Sequence, residues 1–302
     1  MKNKQTKQTI ILSSADLKTA YGKTLYGICY LLLAIVTVFS VVPALWTLLT
    51  SLKDTQEIYK TFTFFPHDLS PSHAAYRIQE SWRELQLGSS ILNTVYLSIG
   101  SCIIKIIVCG FGGYVLSRLK PKGTKLIFTL VVWTMMMPGQ IRIVPTYISY
   151  LHFPFAYDIG GISLLDTYWP MWLSAAGDTF ALLLFKNSFD ALSMSYVESA
   201  KLDGCGNFGV FFKIMLPLSS PIIIYESINT LSRAWSDFFL PLLVLDKHAV
   251  LPLKIYQLSA DTSIKMNTYF MGLVIASMPP FLIFLIFNKH IQGGINIGGV
   301  KG

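Results

Sequence analysis

Charge is scarce in this chain. Of its 302 residues only 13% are charged, 53% are hydrophobic, and the mean hydropathy is +0.53. Soluble domains carry about 25% charged residues, so a purely water-soluble fold is excluded: lipid must face part of the apolar surface. Cysteine is scarce too. Cys29, Cys102 and Cys109 lie in apolar runs and Cys205 in a polar connection, with no C-x-x-C or metal-ligand spacing, which argues against a disulfide framework or a zinc site. No G-x-x-x-x-G-K-[ST] phosphate loop occurs, so no P-loop ATP site is expected in this chain. Catalytic triads, paired carboxylates and metal clusters are likewise missing. The five histidines (His67, His73, His152, His248 and His290) are scattered and read as ordinary loop residues. No bound cofactor and no enzyme activity are expected.

What is present is apolar length. A span needs roughly 20 apolar residues to cross about 30 Å of hydrocarbon. Six runs qualify, at about 25–50, 88–117, 124–147, 168–188, 218–243 and 268–288. The fourth and fifth are interrupted or flanked by charge. The first run is far longer than a signal-peptide core and reads as an uncleaved helix. The expected fold is an all-α membrane protein with six transmembrane helices. It divides into an N-terminal segment 1–24, whose residues 11–24 could form a short surface helix, a membrane domain 25–288, and a tail 289–302.

Lysine and arginine set the orientation. With both termini in the cytoplasm, the inner segments hold Lys2, Lys4, Lys7, Lys18, Lys23, Arg118, Lys120, Lys122, Lys125, Lys186, Lys201, Lys213, Lys289 and Lys301, against Asp16, Asp190, Glu198 and Asp203. The outer segments carry seven basic and nine acidic residues. The formal net charge of +8 therefore reports topology and anionic lipid, and nucleic acid is not an expected partner.

The inner loop at about 189–217 is unusual for a connection between spans, because it is long and its pattern is helical. Ser195 and Glu198 have the S-x-x-E spacing of a capping box. Ser199 and Ala200 are small, so a partner can approach closely. Gly204 suits the left-handed end of a helix, and Asn207 can cap a second one. Phe208, Phe211, Phe212 and Met215 recur at three- and four-residue steps, giving one apolar face, and Pro217 and Pro221 mark the return to the membrane. The expected structure is a helix–turn–helix. A loop that packs only on its own spans is the competing reading.

Charge within the spans is costly and usually faces the bundle interior or water. Lys105 lies in the second run; Glu226, Arg233 and Asp237 lie on one stripe of the fifth, where Arg233 and Asp237 are four apart and could pair. Two readings stay open. The stripe, with Asn229 and Trp235, lines a path at an interface with another subunit, or it is a structural ion-pair cluster with Lys105 near Glu226. Gly110, Gly112 and Gly113 read as sites of close helix packing.

The stretch Ser193–Pro221 resembles the cytoplasmic loop of ATP-binding-cassette importer permeases. Glu198, Ser199, Ala200, Asp203, Gly204, Phe208, Ile214, Leu216, Pro217, Leu218 and Pro221 match its spacing. The resemblance covers nearly the whole chain and is strongest to the carbohydrate-importer, MalG-like, binding-protein-dependent group. Asn93-Thr94, Gly113-Tyr114, Ser117-Arg118, Asp166-Thr167, Trp235, Asp237, Phe238, Pro241, Leu251-Pro252-Leu253, Pro279 and the ending Gly298-Gly299-Val300-Lys301-Gly302 carry it. Ser193, Ser199, Cys205 and Ser236 depart from the group, which has proline, alanine, alanine and asparagine there.

The resemblance implies a type I importer permease architecture in a bacterial cell membrane. It implies a second permease, two ATPase subunits that hold the ATP and Mg, and an external solute-binding protein. It makes Glu198, Ser199, Ala200, Asp203, Gly204, Phe208 and Pro217 part of the helix that docks on the ATPase, with Gly298, Gly299 and Lys301 as a second contact. A permease for another solute is the near alternative; an ATPase-independent secondary transporter or channel is the distant one.

Overall fold

The computed structural model describes residues 19–60, 63–154 and 161–292. Residues 1–18 and the tail residues Gly298, Gly299 and Lys301 lie outside them. Among the described residues the architecture is helical. α1 is a 32-residue helix, Ala20–Ser51. It starts five residues before the apolar run because the Thr19 hydroxyl accepts the Gly22 amide at 3.1 Å, satisfying one of the free donors of a helix start. Short α2 (Thr55–Lys60) and amphipathic α3 (Pro71–Leu85) follow, so the expected outer loop is largely helical. Ser70 caps α3 and Pro71 occupies its first turn, where the missing amide costs nothing.

α4 (Leu87–Tyr114) leaves α3 through a left-handed Gln86. It continues as a π-turn over Val115–Leu119, closed by the Lys120 amide on the Val115 carbonyl at 2.9 Å. The third expected span is bent by 110° between α5 (Thr124–Met136) and α6 (Gly139–Leu151). Pro138 stands at the break, where it removes a helical donor. The fourth expected span is broken into α7 (Trp169–Ala176) and α8 (Thr179–Ala191). Gly177 ends the first piece, and Asp178 caps the second by accepting the Ala181 amide at 3.1 Å. The 195–217 loop contains α9 (Ser195–Leu202), α10 (Asn207–Val210), a π-turn Phe211–Met215 and α11 (Leu216–Leu218). The chain then bends by 78° into α12 (Ser220–Ala234). α13 (Phe239–Val244), α14 (Leu251–Ser259) and α15 (Met266–Gln292) complete it.

Among the described residues, three helices are long and apolar enough to span a membrane alone: Ala20–Ser51, Leu87–Leu119 and Met266–Phe287. Two bent pairs raise the number to five, short of six continuous spans. The shortfall is the break at Gly177-Asp178, which leaves α7 and α8 at 8 and 13 residues.

α4 is the central element, packed against α7, α8, α12 and α14, while α15 packs on α1, α3, α12 and α14. α4 and α8 touch backbone to backbone at Gly113, where a Cβ would stand 2.8 Å from the Lys186 nitrogen and 2.9 Å from Phe185 Cβ. α1 has none of its most apolar window buried, as expected for a helix that lipid or another subunit covers.

Candidate functional site

Two sites emerge, a polar cavity among the spans and the loop at one end of them. The cavity has a volume of about 670 Å³. It opens at the break between α7 and α8, where an unwound turn at membrane depth is tolerated because it lines polar space. Ser101 and Lys105 of α4, Thr134 of α5, Arg142 of α6, Asp178 at the break, and Thr230, Arg233 and Asp237 in and after α12 all face it.

At its inner wall Lys105 Nζ donates to Asp178 Oδ2 at 2.8 Å and to Glu226 Oε2 at 3.4 Å. The Arg233 guanidinium approaches the same Asp178 oxygen at 3.6 Å. Lys105 and Glu226 are buried, so one ammonium ties α4, the α7–α8 break and α12 in a low-dielectric environment, where an unpaired member would be very unfavourable. Arg233 is 71% exposed, and its contact with Asp178 adds little.

The charged stripe therefore divides. Glu226 sits behind the wall in the structural pair with Lys105, while Arg233 and Asp237 face the cavity. The anticipated Arg233–Asp237 pair is not formed. Asp237 Oδ1 instead accepts the Phe239 amide at 2.9 Å, in the turn that follows the helix end at Ala234. Trp235 packs against the cluster of Leu85, Leu87 and Leu251, and Asn229 is half-buried and does not line the cavity. Sequence reasoning missed Asp178, Arg142 and Thr179. The triplet Gly177-Asp178-Thr179, a helix stop followed by an N-cap residue inside an apolar run, was the available signal.

The loop has the expected helix–turn–helix form. Gly204 adopts φ +81°, in the left-handed region that glycine enters freely. Glu198, Ser199, Lys201, Asp203 and Gly204 are exposed, and Leu202 is 89% exposed. Ala200 is turned inward and buried, together with Val197, so of the two small residues only Ser199 meets the outside. The capping box does not form. Met194 precedes the helix in a helical conformation, and the Ser195 hydroxyl pairs with Ser193 Oγ at 2.6 Å, so no side chain caps the α9 start. Gly206, not Asn207, occupies the cap position of α10.

The apolar face also splits. Phe211 and Met215 are fully buried, while Phe208 and Phe212 are exposed. Phe208 still stacks on Phe111 of α4, with centroids 5.2 Å apart. Phe111, Tyr114, Phe185, Phe189 and Phe211 form one aromatic cluster at the root of the loop. The loop is thus braced on the second expected span as well as on those it connects.

Beyond the spans, Asp166 accepts the Lys247 and Asp246 amides at 2.8 and 3.1 Å. The Lys247 amide, seconded by that of Asp246, holds the Asp166 carboxyl below the usual carboxylate range.

Residues 106–297 match the family of binding-protein-dependent transport system inner membrane components. The chain is 30% identical over 272 residues to the arabinooligosaccharides transport system permease protein AraQ of Bacillus subtilis, covering 86% of this chain and 90% of that one. It is 27% identical over 301 residues to the galactooligosaccharides transport system permease protein GanQ of the same organism, covering 95% and 99%. A chain from the crystal structure of a bacterial ABC transporter involved in the import of the acidic polysaccharide alginate shares the fold. The TM-score is 0.73, with 19% identity, over 92% of this chain and 98% of that one. The chain belongs to the binding-protein-dependent transport system inner membrane component family. It is accordingly an integral membrane permease of an ABC transporter, not an enzyme subunit.

Proposed function

We propose that this permease imports a sugar or oligosaccharide. An external binding protein delivers the solute, a second, different permease supplies the other half of the path, and two ATPase subunits holding ATP and Mg drive the cycle. The observation that carries the coupling is the 195–217 loop: a short helix ending at a left-handed glycine, its tip exposed from Glu198 to Gly204 apart from the buried Ala200, and its root locked in an aromatic cluster. That form suits a rigid lever docked on a partner. Glu198, Ser199, Asp203, Gly204, Phe208 and the exposed Pro217 offer the contact surface, with the buried Ala200 shaping it from within, and Gly298, Gly299 and Lys301 of the tail add a second contact.

The cavity supplies the path. Its hydroxyls and paired charges suit a poly-hydroxylated solute, which exchanges its water hydrogen bonds for protein ones. The arabinooligosaccharides and galactooligosaccharides for which AraQ and GanQ are named support the carbohydrate class. Topologically, α7 and α8 together form the missing sixth span, and both termini are cytoplasmic, as the lysine and arginine distribution requires.

The test is affinity purification of the chain from its native membranes in mild detergent. An ATPase and a second permease should co-purify in fixed proportion, and Gly204→Asp should release the ATPase while keeping the permease pair. Hydrolysis by the complex should rise with an oligosaccharide-loaded binding protein. A chain that emerges alone from several detergents would overturn the proposal.

A further inference from the structure

The hinge at which the fourth span becomes the loop is gripped by a side chain from a different span. α8 ends at Ala191 and α9 begins at Ser195, so the connection is short and its carbonyls, like those of any helix end, lack intrahelical partners. Arg118, in the π-turn that closes α4, fills that need. Its Nη2 donates to the Phe189 and Leu192 carbonyls, and its Nη1 approaches Met194 Sδ at 3.5 Å. One planar guanidinium therefore touches the last turn of α8, its C-cap residue, and the residue that opens α9. A cation there also meets the negative end of the α8 dipole.

Next to it, the buried Ser117 hydroxyl donates to Asp190 Oδ1 at 2.6 Å, and Asp190 Oδ2 accepts from Lys186 at 2.6 Å. Behind the polar layer, Tyr114 packs on Phe189 and Phe211. The aromatic layer alone would hold the loop near the spans. It would not by itself fix the α8–α9 angle, because the apolar burial that dominates it is non-directional, whereas donors on two carbonyls are directional.

We propose that Arg118 is the positioning residue that fixes the α8–α9 angle. It makes the loop move as one body with the inner ends of α4 and α8, so that displacement at the ATPase reaches the cavity wall. Lys105 of the same α4 connects to Asp178 and Glu226 there, which gives the displacement a route to the charges at the α7–α8 break. The inference rests on the ATPase-docking reading of the loop.

The experiment uses the whole purified complex and compares the unmodified chain with Arg118→Ala, Arg118→Lys and Ser117→Ala. Expected for Arg118→Ala is an assembled complex with unchanged basal ATP hydrolysis and an unchanged KM for uptake. The maximal uptake rate and the stimulation of hydrolysis by loaded binding protein should fall roughly tenfold, the scale of a lost coupling interaction. Arg118→Lys keeps the charge but loses the fork and should recover only part; Ser117→Ala should fall between Lys and the unmodified chain. Hydrogen exchange of the complex should quicken at residues 192–203 and stay unchanged in α4. Full coupling in Arg118→Ala, or loss of the ATPase from its complex, would overturn the inference while leaving the docking reading intact. If the unmodified complex itself contains no ATPase, the docking reading fails and the inference with it.

Discussion

Lys105 stands, almost fully buried, between two carboxylates at the inner wall of the cavity, and this arrangement decides what substitutions there will do. Removing the ammonium alone leaves Glu226 buried and uncompensated, which costs about 3–5 kcal/mol. Lys105→Met should therefore reduce the yield of folded protein in the membrane, and Lys105→Met with Glu226→Gln should restore much of it, as read by detergent-solubilised yield and thermal stability. Equal stability of all three forms would show that the triad is not a structural joint. Asp237 belongs to the other half of the stripe. Asn keeps the acceptor that holds the Phe239 amide, so Asp237→Asn should assemble normally with its partners and show reduced uptake. A failure of assembly would instead place Asp237 in the structural cluster.

Among elements, the contact between α4 and α8 is the least forgiving. A side chain at Gly113 has no room because its neighbours are backbone atoms and a Cβ, which cannot rotate aside. Gly113→Val should separate the two helices and, with them, the loop they support, so proteolysis of the 189–217 segment in membranes should accelerate. By contrast, Gly110 meets only side-chain tips at 3.5 Å or beyond, and Gly110→Ala should be tolerated. Phe211 is the fully buried centre of the aromatic root. Phe211→Ala should cost about 3–5 kcal/mol and release the ATPase, a result that an exposed surface residue such as Phe212 should not reproduce.

The existence of the loop, its two short helices and the left-handed turn at Gly204 was legible in local sequence, because Gly, Pro and three- to four-residue apolar steps act over one or two turns. The failed capping box was not legible. Ser193 lies close enough to take the Ser195 hydroxyl and amide, a competition that spacing alone does not reveal. Asp178 was hidden because a single charge in an apolar run reads as an interruption, and its partner Lys105 is 73 residues away.

For the whole molecule the orientation can be checked directly. A single cysteine placed at Asp261, in a variant lacking the four native cysteines, should react with a membrane-impermeant maleimide added to intact cells or protoplasts. One placed at Lys122 should react only after permeabilisation. The reverse pattern would invert the topology and remove the loop from the side where ATP is available. The Asp166 bridge to the 246–247 amides ties two connections distant in sequence. Because its carboxyl is held below the usual range, the contribution is present above the unfolded value of about 3.9 and disappears as pH falls through the lower folded value. Asp166→Asn should make stability less sensitive to acid in that window.

Sequence by itself determined that the chain enters lipid and where its helix–turn–helix loop lies, since apolar length and turn residues are local quantities. Only the tertiary structure decided that the fourth expected span is broken at Asp178, that Glu226 is buried against Lys105 while Arg233 and Asp237 face the cavity, and that Arg118 grips the loop hinge. Each depends on which helices pack on α4, and helix partners are chosen by shape and by distant charges that no window of sequence contains.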